Sequence, residues 1–250
     1  MQKRMLFPAY MAPVVDTTWQ PTAGDLQEQA MIAGQCGKLH VASWRLKQSR
    51  GTVMIFHGNG ESMVSVQIQA QKFLDLGYSV MGWDYPGYGK SDDCWFSEHD
   101  LLKDTETSYQ WLLKHESDSR IVFYGRSMGS GLALYIASKH PGHRVLLVSP
   151  YDSLLSVAKD NEPFIMPVGL LMRYPLSAVQ WIGKVRGDIH AIHGTADALI
   201  KPEHAIALMK AAKGNADIEW IKGAGHIDIT KFEQSNRWLT KQLTGSGQGN

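Results

Sequence analysis

Cysteine is scarce in this chain, with only Cys36 and Cys94 among its 250 residues. Two thiols are too few for a disulfide framework, and they lack the C-x-x-C spacing of zinc or dithiol redox sites. Two free, mostly buried thiols are therefore expected. An excess of charge of one sign is also missing, since 25 Lys and Arg face 24 Asp and Glu for a formal net charge of +1. Without a basic stripe there is no electrostatic footprint for a polyanion, which argues against nucleic acid as a partner. Nowhere do about eighteen apolar residues run together, so no transmembrane segment is expected. The start carries a basic Lys3-Arg4 pair, but Pro8 and Pro13 interrupt the apolar stretch that a signal peptide requires. The reading that follows is a soluble, cytoplasmic protein.

What is present is a globular composition, with 44% apolar and 20% charged residues, which speaks against disorder and against fibrous designs. This length suits a single α/β domain. Residues 1–38 read as an irregular N-terminal segment, 39–243 as the domain and 244–250 as a flexible tail. From residue 39 onward, short β-rich runs alternate with helical periods, the pattern of β-α-β units around a parallel sheet. Strands are expected at Leu39 to Leu46, Thr52 to Phe56, Tyr78 to Trp83, Ile121 to Tyr124, Arg144 to Ser149, Gly187 to His193 and Ile218 to Ile221. Helices are expected over 63–76, 101–113, 127–139, 204–213 and 229–243. Residues 151–183 break this rhythm with Pro163, Pro167 and Pro175 among apolar side chains, and read as a small inserted cap. Its stretch from Phe164 to Trp181 could line an acyl pocket or serve only as packing.

The chemistry gathers at Gly125-Arg126-Ser127-Met128-Gly129, a G-x-S-x-G motif at a strand-to-helix junction. A turn this tight strains the serine backbone and leaves no room for side chains two residues to either side. Ser127 is the candidate nucleophile, and the Met128 N–H, at the positive end of the helix, is a candidate oxyanion donor. A serine hydroxyl needs a base, and His226, in the loop Gly223-Ala224-Gly225-His226 after the last expected strand, is best placed among ten histidines. His40 and His190 lie in strands, while His99, His115, His140, His143 and His204 read as surface or helix-end residues. Asp197, just beyond the strand ending at His193, is the candidate acid that orients the imidazole. Asp152 is its rival, and Asp228 stands too near His226 in sequence to orient it easily. The second oxyanion donor is assigned to the Asn59 N–H in His57-Gly58-Asn59-Gly60-Glu61, with Gly60 as the alternative.

Several patterns point elsewhere and fail on spacing. His57 has no companion histidine at metal-ligand spacing and is expected to brace its loop by hydrogen bonds. Gly89-Lys90-Ser91 resembles the end of a phosphate-binding loop, but Asp84 stands where that motif needs glycine. Gly58-x-Gly60 lacks the third glycine of a dinucleotide fingerprint.

Taken together, the HGNG loop at 57–60, the Asp84 to Ser91 loop, GRSMG at 125–129, Ser149-Pro150-Tyr151, HGTAD at 193–197 and GAGH at 223–226 resemble the α/β-hydrolase superfamily. Within it they resemble the Bem46-like serine hydrolases. The resemblance covers about residues 39 to 243. It implies an eight-stranded, mostly parallel sheet with one antiparallel edge, and hydrolysis of acyl esters or thioesters as small-molecule substrates. It also implies no cofactor, and the spacing of the histidines offers no metal site. Many members of that group carry an N-terminal membrane anchor, and none is expected here. A peptidase or amidase with the same triad, or a catalytically silent binding module on the same fold, remain the alternatives.

Overall fold

In the computed structural model, residues 26–94, 97–117, 120–161 and 174–245 are described. The sheet opens with a hairpin. Strand β1 (Leu26–Ala33) pairs antiparallel with β2 (Lys38–Arg45) across a turn closed by the Gly34 N–H on the Gly37 carbonyl at 2.7 Å. β1 corrects the expectation that residues 1–38 are wholly irregular. It lies at the sheet edge and spends Gln27, Glu28 and Gln29 on its first half, so its apolar alternation is weak. The same turn holds a second correction, because Cys36 is bonded to Cys94 in the loop beyond the fourth strand rather than standing as a free thiol. The two half-cystines are 58 residues apart, which made the pair invisible to spacing rules built on short motifs.

The remaining strands are β3 (Thr52–Phe56), β4 (Ser79–Trp83), β5 (Ile121–Arg126), β6 (Arg144–Val148), β7 (Ile189–Gly194) and β8 (Ala216–Ile221). They align in the order β1-β2-β4-β3-β5-β6-β7-β8. β2 runs antiparallel to both neighbours, and all pairs from β4 to β8 are parallel. The eight-stranded, mostly parallel α/β architecture is thus as expected, with the reversed strand second from the edge. Every residue of β3 and β4 is buried, as befits central parallel strands covered on both faces.

Helices α1 (Met63–Asp75), α2 (Glu98–Leu113), α3 (Met128–Lys139), α4 (Leu154–Asn161), α5 (Ala178–Ile182), α6 (Pro202–Lys210) and α7 (Glu233–Thr244) form the outer layers. α2 begins earlier than its apolar period suggests, because Ser97 and Asp100 make a reciprocal capping box. The closing helix is split, with a 3-10 turn at Ile229–Lys231 ahead of α7. Strand alternation divides the core. Val53, Ile55, Tyr124 and Ile192 face Phe73 of α1 and Trp238 of α7, whereas Met54, Phe56, Phe123 and Leu147 face Leu132 of α3 and Tyr109 of α2.

Of the expected cap, residues 162–173 lie outside the described residues, as does the apolar run from Phe164 to Met172. The described remainder packs: Tyr174, Leu176, Ala178 and Ile182 are fully buried in the main core. β3 has β4 on one side and β5 on the other, so the chain leaves the sheet in opposite directions from its centre. Such a switch point opens a crevice at the carboxyl ends of β3 and β5.

Candidate active site

The residue after β5 carries the strain of that crevice. Ser127 sits at φ 51° and ψ −125°, in a region that side chains rarely adopt, between β5 and the first turn of α3. The local sequence leaves little alternative. A Cβ at Gly125 would come within 2.6 Å of the Gly129 carbonyl oxygen, and one at Gly129 within 2.1 Å of the Phe56 carbonyl oxygen. The turn is held by the Ser127 N–H on the Val148 carbonyl at 2.9 Å and by the Ser130 hydroxyl on the Ser127 carbonyl at 2.7 Å. Met128 is the first residue of α3, so its amide has no acceptor within the helix behind it.

Three distant side chains meet here. His226 Nε2 lies 2.9 Å from Ser127 Oγ, and its Nδ1 lies 2.8 Å from Asp197 Oδ2. Asp197 projects from the loop after β7, and its other oxygen accepts the N–H groups of Leu199 at 3.0 Å and Ile200 at 2.8 Å. Burial by itself would raise the Asp197 pKa. The hydrogen bond and charge of His226, the Ile200 N–H and His193 outweigh burial, leaving the carboxyl below its ordinary value. With Asp197 ionised, His226 donates from Nδ1 and is left with a lone pair on Nε2 facing the hydroxyl. The arrangement can move a proton from that hydroxyl to the imidazole.

Neither rival acid takes part. Asp152 bonds His204 Nδ1 at 2.9 Å, and Asp228 accepts the Gly225 N–H at 2.8 Å. His143 is buried, against the expectation of a surface or helix-end position, and faces the Ile121 carbonyl and the Tyr109 hydroxyl; His204 stands in the first turn of α6, a helix-end position as expected, with its ring buried against Asp152. His40 and His190 lie in strands as expected, bonded to Asp84 and Asp217.

The loop after β3 closes the other side. Asn59 lines a cavity of about 430 Å³ with Glu61, Gln69, Arg126, Ser127, Leu199, His226, Ile227 and Thr230. Its amide oxygen accepts the Tyr88 hydroxyl at 2.6 Å, and the His57 carbonyl accepts the Tyr85 hydroxyl at 2.8 Å. His57 itself stacks on Tyr85 at 3.9 Å and contacts the Gly58 carbonyl through Nδ1, the bracing role expected of it. Its full burial pushes its pKa down, against the pull of Asp84 and the Gly58 hydrogen bond. The Asp84 to Ser91 loop is therefore a brace for residues 57–61. Gly89, at φ 49°, admits the buried Asp84 carboxylate, which a Cβ would strike at 2.2 Å.

Of the residues singled out from the sequence, Ser127, His226 and Asn59 line the cavity, Asp197 lies buried behind His226, and Met128 follows Ser127 at the start of α3. Sequence reasoning missed the tyrosine braces and the pair Arg126–Glu61, in which Arg126 Nη1 bonds Glu61 Oε1. The only signal for that pair was an acid in the loop after β3 and a base inside the G-x-S-x-G motif. A second, apolar groove of about 420 Å³ runs between α1 and α7, bounded by Ile68, Phe73, Tyr124, Ile192 and Trp238 among others. It shares Gln69 and Thr230 with the cavity beside Ser127. No cluster of metal-ligating side chains occurs among the described residues, nor any helix long and apolar enough to cross a membrane.

Residues 47–159 match the family described as Serine aminopeptidase, S33. Alpha/beta hydrolase domain-containing protein 17C of Mus musculus is similar at 30% identity over 192 residues, covering 74% of this chain and 57% of that protein. The chain thus spans a little over half the length of the curated relatives it first matches. An esterase of Pyrococcus furiosus superposes with a TM-score of 0.73 at 22% identity, covering 94% of this chain and 98% of the other. A monoacylglycerol lipase of Paleococcus ferrophilus gives a TM-score of 0.66 at 19% identity, over 83% and 98% of the two chains. At such identities the structural likeness speaks for the fold. In fold and in sequence alike, the chain belongs to the α/β-hydrolase superfamily.

Proposed function

We propose that this chain is a serine hydrolase that cleaves carboxylic ester or thioester bonds through an acyl-enzyme on Ser127. The observation that carries this reading is the relay Asp197–His226–Ser127, with both hydrogen bonds under 3 Å and the serine in a strained turn. Ser127 Oγ attacks the acyl carbonyl as its proton passes to His226 Nε2. The carbonyl oxygen becomes an oxyanion held by the backbone N–H groups of Met128 and Asn59. Collapse of the tetrahedral intermediate breaks the bond to the leaving alcohol or thiol, which takes the proton from His226. Water then attacks the acyl-serine, giving its proton to His226, and release of the carboxylic acid restores the serine. Asp197 keeps the imidazole in one tautomer and offsets the imidazolium charge. No cofactor or metal is called for.

An apolar acyl group fits the surroundings. Leu199 and Ile227 flank the cavity, Ile227 at 78% exposure, and the apolar groove between α1 and α7 adjoins it. The similar esterase and lipase structures are in keeping with that reading. Peptide or amide hydrolysis is the second reading, favoured by the description of the matched family. The expected cytoplasmic location is opposed by the Cys36–Cys94 bridge, because such bonds persist chiefly in oxidising compartments. A fluorophosphonate probe should label the wild type and not Ser127→Ala, whose ester turnover should fall by about 10⁴–10⁶-fold. Equal turnover by the two proteins would refute the assignment. A panel of p-nitrophenyl esters, thioesters and peptide anilides separates the two readings, with kcat/KM rising from acetyl to medium-chain esters if the first holds.

A further inference from the structure

Arg126 stands between a glycine that cannot be enlarged and the strained serine, yet its own side chain turns toward the cavity. Its guanidinium bonds Glu61 through Nη1 and donates from Nη2 to the His226 carbonyl at 3.1 Å. The second oxygen of Glu61 accepts the Gly58 N–H at 2.7 Å, next to Asn59. One ion pair therefore touches all three loops that the mechanism needs in register: the oxyanion loop, the nucleophile turn and the histidine loop. Both side chains are largely buried, at 12% and 17% exposure, where a charge left without its partner is costly.

We propose that Arg126 and Glu61 are positioning residues, a clamp that fixes the histidine loop and the oxyanion loop relative to Ser127. The proposal rests on the serine hydrolase reading above. Neither residue touches the reacting atoms. The clamp acts through backbone: Glu61 on the amide preceding Asn59, Arg126 on the carbonyl of His226 itself. A base displaced by even about 1 Å from its hydroxyl can lose on the order of 10²-fold in rate, so a link between these loops bears on kcat rather than on substrate affinity. The ion pair also sets the field at the imidazole. The charged or titratable groups around His226 are Asp197 after β7, His193 in β7, Asp228 in its own loop, Lys72 of α1 through the Thr230 carbonyl, and the Arg126–Glu61 pair. Deleting the cation leaves Glu61 unbalanced, and deleting the anion leaves Arg126 unbalanced, so the two deletions push the imidazole field in opposite directions.

The test is steady-state hydrolysis of a p-nitrophenyl ester from pH 5 to 9 by Arg126→Met, Arg126→Lys, Glu61→Gln and the Arg126→Met/Glu61→Gln double variant. Each single charge deletion should lower kcat by about 10–100-fold with KM changed less than about threefold, and Arg126→Lys should recover part of the loss. The double variant should be no slower than the slower single one, because the pair acts as a unit. The acid limb of the kcat/KM profile should move to higher pH in Arg126→Met and to lower pH in Glu61→Gln. Unchanged kcat in both single variants, or limbs that shift the same way, would overturn the clamp. Glu61→Gln keeps side-chain shape, so the test stands even should Arg126→Met fold poorly. Failure of the wild type to hydrolyse the ester or take the fluorophosphonate would instead sink the parent reading, whereas wild-type activity with indifferent variants sinks only the clamp.

Discussion

Two histidine–carboxylate pairs share one geometry in this molecule and differ in what lies beyond them. His40 Nδ1 is 2.8 Å from Asp84 Oδ2, and His226 Nδ1 is 2.8 Å from Asp197 Oδ2. Both carboxylates are buried, and both are held below the ordinary range, Asp84 because His40, His57 and the Met63 N–H outweigh burial. The contrast is at the opposite nitrogen. His40 Nε2 faces the Gln29 amide oxygen at 3.2 Å, so both ring nitrogens are engaged by side chains of the scaffold. His226 Nε2 faces the Ser127 hydroxyl beside an open cavity and offers its lone pair to it. The first pair is a fastener between strand and loop, while the second can accept a proton. A carboxylate on a histidine thus says little about chemistry until the far nitrogen's neighbour is known.

The comparison breaks most readily by removing each charge in turn. Asp197→Asn should lower kcat by about 10⁴-fold while leaving the fold intact, because the imidazole loses its tautomer. Asp84→Asn should instead cost stability, about 1–3 kcal/mol by urea denaturation, since Asp84 accepts from His40, the Met63 N–H and the Lys90 N–H. A large loss of kcat in a well-folded Asp84→Asn protein would erase the distinction. A somewhat smaller difference separates the halves of the molecule that house the pairs. The Cys36–Cys94 bond ties down the half with His40 and Asp84, so Cys36→Ser/Cys94→Ser should lower unfolding free energy by about 2–4 kcal/mol while leaving KM for the ester near its wild-type value. An unchanged urea midpoint in the double serine variant would show the bridge to be idle.

The finest test is pH. A carboxyl whose pKa is lower folded than unfolded contributes stability above its unfolded value, and that contribution disappears as pH falls through the folded value. Wild-type stability should therefore drop below the ordinary carboxylate range, and Asp84→Asn should flatten that drop without altering stability near neutrality any further. Urea midpoints between pH 7 and pH 3 provide the measurement. A slope unchanged by the substitution would mean that Asp84 is not one of the groups responsible.

The legibility of all this in sequence was uneven for physical reasons. The strained turn at Ser127 could be read because tight backbone packing forces glycine at 125 and 129, and the meeting of Ser127, Asp197 and His226 because each follows a strand that itself announces its period. β1 could not, since an edge strand covered on few sides tolerates Glu28 and Gln29. His143 was misplaced because a buried histidine needs only one or two polar partners, and these came from Ile121 and Tyr109, distant in sequence. Arg126 and Glu61 were in view but their pairing depends on the third dimension.

The bond between Cys36 and Cys94 has a topological consequence. It closes a covalent ring that holds β2, β3, α1, β4 and the Asp84 to Ser91 loop, with the amide of Asn59 inside it and Ser127, Asp197 and His226 outside. A single proteolytic cut anywhere between residues 37 and 93 leaves the two new ends on one covalent molecule, whereas a cut elsewhere leaves two pieces with no covalent link between them. The bridge thus insures against scission the segment that carries the Asn59 amide, and leaves Ser127, Asp197 and His226 to be held together by noncovalent forces alone.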